Sequence, residues 1–110
     1  PLMIDVIKGL YEVALERKST KQEGSYTCYL FEQGLDKILK KCGEECSEVI
    51  IAAKNGKNED TANEICDLLY HLIVMMVESG ISMDEVEEIL EQRRQKIGNL
   101  KKFHVSDHES

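Results

Sequence analysis

The amino-acid sequence predicts an all-α fold, a four-helix antiparallel bundle-like domain. Three observations point there. Apolar residues recur at helical spacing in four separate segments. The 110 residues include one proline and 7 glycines, so few positions interrupt a helix. The connections between the segments are short, which favours antiparallel neighbours.

The first helix is expected from about Met3 to Arg17, with Ile4, Ile7, Leu10, Tyr11 and Ala14 at helical spacing. A polar stretch runs from Ser19 to Ser25. Tyr26 to Phe31 is rich in aromatic and branched residues yet has no partner strand, so an ordered loop is expected there. The second helix is expected from about Leu35 to Lys54, stopped by Asn55-Gly56. Gly43 inside it costs about 1 kcal/mol relative to alanine; a close helix contact or an approaching ligand would explain it. The third helix spans about Glu59 to Glu78 and stops at Ser79-Gly80. The fourth opens on a capping box, Ser82-Met83-Asp84-Glu85, and ends near Gly98. Residues 1–98 then form a single domain, and 99–110 a polar tail that frays.

Hydrophobic residues make up 42% and charged residues 32%, the balance of a soluble globular chain rather than a disordered one. With 14 basic against 21 acidic residues the formal charge is -7, which argues against nucleic-acid binding through a basic surface. A phosphate-bearing small molecule stays open, because a bound metal can supply positive charge. No apolar stretch approaches the roughly 20 residues that span a bilayer. Pro1 to Asp5 lacks the basic region and apolar run of a signal peptide, so the cytoplasm is the expected location. Cys28, Cys42, Cys46 and Cys66 form no C-x-x-C pair and read as buried free thiols; a zinc site from Cys42, Cys46 and Cys66 would have atypical spacing.

Two carboxylate pairs carry the chemistry. Glu45 and Glu48 on the second helix, and Glu64 and Asp67 on the third, are each three residues apart and so share a face. At about 100° per residue, Ile38, Leu39, Cys42, Cys46, Val49, Ile50 and Ala53 form one apolar arc with Glu45 at its edge. Glu48 lies about 60° further out beside Lys41, and Glu44 about 100° out. The third helix is apolar on nearly every side, which marks a central helix. In so short a chain some of its neighbours would come from a second subunit, making a homodimer or higher oligomer the expectation. Glu64, Asp67 and His71 nevertheless share an arc of about 60° on that helix. Two readings are open. The acids are salt bridges with Lys37, Lys40, Lys41 or Lys54, or all four converge on a cation. An all-oxygen set favours Mg²⁺, with Mn²⁺ also suited, over iron or zinc. The Glu-x-x-His repeats of a di-iron bundle are missing.

Glu44-Glu45-x-x-Glu48 followed by Glu64-x-x-Asp67 resembles the signature of the all-α nucleoside triphosphate pyrophosphohydrolase superfamily, the MazG-like proteins. Within it, Ser25-Tyr26-Thr27-x-Tyr29-Leu30-Phe31, Gly34-Leu35-Asp36-Lys37-Ile38, Lys40-Lys41-x-Gly43-Glu44-Glu45, Ala52-Ala53-Lys54 and Asp67-Leu68-Leu69-Tyr70-His71 resemble the phosphoribosyl-ATP pyrophosphohydrolase family. The cysteines at 42, 46 and 66 stand where small apolar residues are usual. The resemblance implies Mg²⁺-dependent hydrolysis of phosphoribosyl-ATP to phosphoribosyl-AMP and pyrophosphate, the second step of histidine biosynthesis. It implies Glu45, Glu48, Glu64 and Asp67 as metal ligands, with Glu44 beside them as a further catalytic acid. Lys37, Lys40, Lys41, His71, Tyr26 and Tyr29 become candidate substrate contacts. A house-cleaning (d)NTP pyrophosphatase of the same superfamily, or a non-enzymatic helical dimerisation module, is the rival reading.

Overall fold

Five helices, rather than four, make up the described residues, and no strand occurs among them. The computed structural model describes the backbone of residues 1–100 and the side chains of residues 1–98. Of the tail expected over 99–110, residues 99 and 100 continue the last helix; the rest lies outside the described residues.

Helix α1 (Met3–Ser19) turns Ala14 inward and carries Arg17 and Lys18 in its last turn, where cations suit the helix dipole. Helix α2 (Tyr26–Gln33) replaces the expected loop. Its side chains suit a strand, but local capping and packing decide otherwise. The Ser25 hydroxyl accepts a hydrogen bond from the Cys28 amide at 3.1 Å, capping the first turn. Thr27, Cys28 and Leu30 are buried along one side. Gly34 then closes α2 and opens α3 (Leu35–Asn55) at φ 91°, a backbone conformation that costs glycine nothing and strains other residues. Helix α4 (Asn58–Ser79) follows the turn at Gly56 and ends at Gly80. Helix α5 (Met83–Leu100) begins with the expected capping box: Ser82 Oγ accepts from the Glu85 amide at 3.1 Å, and Glu85 Oε1 accepts from the Ser82 amide at 3.2 Å.

Residues 1–80 form one compact unit and the segment from Ile81 a second. In the first unit, α3 and α4 make the most extensive pair, α1 packs on α4, and α2 touches all three. Ala14, Ile73 and Val77 form one core cluster; Leu30, Ile38 and Val74 form another. Phe31 packs against both and joins them.

Helix α3 departs from its expected orientation. Its buried residues are Ile38 and Glu45, while Leu39 and Ile50 are 47% and 59% exposed. Thus only part of the apolar arc turns inward, and Glu45 lies on the interior line rather than at its rim. Cys28 is buried and Cys42 half-buried, but Cys46 and Cys66 are exposed, correcting the reading of all four as buried thiols. A Cβ placed on Gly43 would meet no described atom within 4 Å, so no close helix contact within the chain explains that glycine. Among the described residues, no single helix is long and apolar enough to cross a membrane.

Candidate metal centre

Glu45, Glu48 and Glu64 converge where α3 lies against α4. One carboxylate oxygen from each lies within 4.8 Å of the other two. Glu45 is buried, Glu64 half-buried and Glu48 exposed, so the cluster opens to solvent on one side. Burial pushes the carboxyls of Glu45 and Glu64 above their ordinary range. For Glu45, hydrogen bonding and charge from Glu48 add to this, while the ammonium of Lys41 pulls the other way. For Glu64, Glu48 adds most after burial, then Asp67 and Glu45. Like charges held together in this way disfavour ionisation.

Two buried oxygens, Glu45 Oε2 and Glu64 Oε2, have no hydrogen-bond partner. A buried acceptor left unpaired is costly. Clustered hard oxygens with open valence fit a divalent cation of the Mg²⁺ or Mn²⁺ type. No cysteine belongs to this set.

The remaining acids stand apart. Asp67 is exposed and outside the convergent trio, although its charge reaches Glu64. Glu44 is exposed and holds Lys41, whose Nζ lies 3.5 Å from Glu44 Oε1 and 3.6 Å from Glu45 Oε1. The salt-bridge reading therefore describes Lys41, while the trio as a whole remains short of positive charge. Lys37 Nζ sits 6.0 Å from the centre of the Tyr29 ring, a cation–π distance, and Lys40 is exposed.

His71 is 6% exposed, and both ring nitrogens are engaged. Nδ1 is 2.7 Å from the Asp67 carbonyl oxygen and Nε2 is 2.8 Å from the Tyr26 hydroxyl. Tyr26 and Tyr29, one turn apart on α2, stack with centroids 6.1 Å apart at 27°. They also help line a groove of about 440 Å³. A second cavity, of about 330 Å³, adjoins the acids and is lined by Glu48, Ile51, Ala52, Asn55, Asp60 and Glu64.

The profile of the family described as phosphoribosyl-ATP pyrophosphohydrolase matches residues 7–94. The chain belongs to the phosphoribosyl-ATP pyrophosphohydrolase family. A phosphoribosyl-ATP pyrophosphatase of Clostridium novyi (strain NT) is 53% identical over 98 residues, covering 89% of each chain. One of Clostridium botulinum (strain Kyoto / Type A2) is 59% identical over 97 residues, 88% of each chain. One of Streptococcus sanguinis (strain SK36) is 52% identical over 103 residues, 94% of this chain and 99% of the relative.

Asn55 and Asp60, which line the cavity beside Glu48 and Glu64, were not singled out by sequence reasoning in this member of the pyrophosphohydrolase family. The signal was present: Asp60 lies four residues before Glu64, one turn earlier on the same helix face, and Asn55 lies seven after Glu48.

Proposed function

We propose that the protein hydrolyses phosphoribosyl-ATP between the α- and β-phosphates, releasing phosphoribosyl-AMP and pyrophosphate in the cytoplasmic histidine pathway. Family membership supports the substrate. The convergence of three carboxylates with two buried, unpartnered oxygens carries the chemistry. Glu45, Glu48 and Glu64 would hold Mg²⁺, with Mn²⁺ a substitute, and Asp67 would join them from the solvent side. Bound there, the cation supplies charge neutralisation for the triphosphate and a polarised water.

The protein's own groups do the rest. Glu45 is buried, so its unpartnered oxygen is held facing the site before a cation arrives. Glu44 draws Lys41 to the rim of the cluster, where the ammonium can meet a phosphate oxygen. Lys37 and Lys40 add positive potential on the same helix. The exposed faces of Tyr26 and Tyr29 offer the adenine a stacking surface. We treat residues 1–98 as one functional domain, since the family match at 7–94 runs through both compact units. The outward apolar residues of α3 and α4, Leu39, Ile50, Ile51 and Ile65, support a homodimer or higher homo-oligomer.

The test is pyrophosphate release from phosphoribosyl-ATP, with and without Mg²⁺, beside a panel of dNTPs. Metal-dependent release from phosphoribosyl-ATP is expected. Hydrolysis confined to dNTPs would replace this reading with the house-cleaning one.

A further inference from the structure

The bond between Tyr26 and His71 joins residues 45 positions apart and lies outside the carboxylate chemistry. The Asp67 carbonyl can only accept, so Nδ1 of His71 must carry a hydrogen and donate it. In the neutral ring this leaves Nε2 with its lone pair, and the Tyr26 hydroxyl donates to it. The imidazole meets the Tyr26 ring edge-on at 5.7 Å and the Tyr70 ring edge-on at 5.6 Å. With both nitrogens used and the ring buried, His71 presents no polar atom to a substrate.

Tyr26 has two ends in different surroundings. The residue is 46% exposed, yet burial is the main influence on its hydroxyl, and the charges of Lys41, Glu45 and Glu44 reach it. Its ring stacks on Tyr29. Tyr26 is thus the side chain that ties α2 to His71 of α4 through its hydroxyl and to the aromatic surface through its ring. It sits in the first turn of an eight-residue helix, a length that does not hold itself in water. The Ser25 cap, the His71 bond and the burial of Thr27 and Cys28 fasten that turn.

We infer that His71 is a positioning residue: it latches the Tyr26 hydroxyl, and thereby sets the Tyr26–Tyr29 surface at a fixed reach from the carboxylates, so that an adenine base stacked there places its polyphosphate on the metal centre. The inference rests on the proposed function for the identity of the base. It withdraws His71 from the direct substrate contacts and assigns Tyr26 two tasks, latch and platform.

Tyr26→Phe keeps the ring and removes the bond; His71→Asn keeps a donor for the Asp67 carbonyl and loses the reach to Tyr26. Each is expected to raise KM for phosphoribosyl-ATP about tenfold, the equivalent of about 1.4 kcal/mol, with kcat within about twofold and Mg²⁺ affinity unchanged. The double variant is expected to match the worse single one, because both remove the same bond. Additive losses, a fall in kcat at constant KM, or weakened Mg²⁺ binding would overturn the latch. A readout independent of turnover accompanies these. In protein labelled with ¹⁵N-histidine, the signals absent from His71→Asn belong to His71, and they should show a protonated Nδ1 and a bare Nε2 that shifts in Tyr26→Phe. The opposite tautomer overturns the inference even if the enzyme is active. A protein inert toward phosphoribosyl-ATP that shows the expected tautomer and shift would remove the proposed substrate and keep the latch.

Discussion

The inner side of α3 holds a buried carboxylate and its outer side several exposed apolar residues, unlike an ordinary surface helix. Toward the core it places Ile38 and a buried carboxylate, Glu45, with Lys41 half-buried beside it. Toward solvent it places Leu39, Cys46, Ile50 and Ile51. A soluble helix usually hides its apolar stripe and wets its charges. Here one carboxylate of the acidic trio is kept inside, while Glu48 and several apolar residues face outward. Under the proposed function, the inner side of the helix serves the metal centre and the outer side serves assembly.

The largest expected effect strikes the inner side. Glu45→Gln should lower kcat/KM for phosphoribosyl-ATP at least about a hundredfold, or roughly 2.7 kcal/mol of transition-state stabilisation, with helical content by circular dichroism unchanged. Asp67→Asn, at the exposed edge of the cluster, should cost less than Glu45→Gln. Equal turnover in Glu45→Gln and wild type would end the distinction between the two sides of α3.

The outer side is broken by Ile50→Asp. Mass measured by light scattering after size exclusion should fall from that of an oligomer to that of one 12.6 kDa chain. An unchanged mass would show that this surface covers nothing.

The smallest effect sharpens the inner side through pH. Glu45 and Glu64 hold protons more tightly in the folded state than the ordinary glutamate value of 4.5 allows. Stability from this source is therefore complete below that value and is lost as pH rises through the raised folded values. In EDTA, the melting temperature of Glu45→Gln should pull ahead of wild type as pH rises from about 4 to about 7, since the amide has no charge to bury. Parallel melting curves across that range would mean that Glu45 is not strained in the metal-free protein.

Much of this was legible beforehand, and the misses have physical causes. The stops at Gly56 and Gly80 and the box at Ser82–Glu85 are local chemistry, settled within a few residues. The spacing of Glu45 with Glu48 already placed two acids on one face. Helix α2 was hidden because Tyr26, Thr27, Tyr29 and Phe31 suit a strand by side-chain shape. Its helical state comes from the Ser25 cap and from burying Leu30 completely against Ile38 and Val74. Likewise, helical periodicity located an apolar arc on α3 but had no means to say which part of it the rest of the chain would cover.

By itself, then, the sequence determined the all-α class, most helix ends, the acidic pairs and the family, because each depends on neighbours within a turn or two or on a motif read in order. Only the tertiary structure decided that Glu45 lies inside the fold, that Asp67 stays outside the trio, and that His71 reaches Tyr26. Those outcomes depend on how α2, α3 and α4 are rotated about their own axes as they pack. That rotation is set by the whole set of side chains competing for one small core, which no single stretch of sequence encodes.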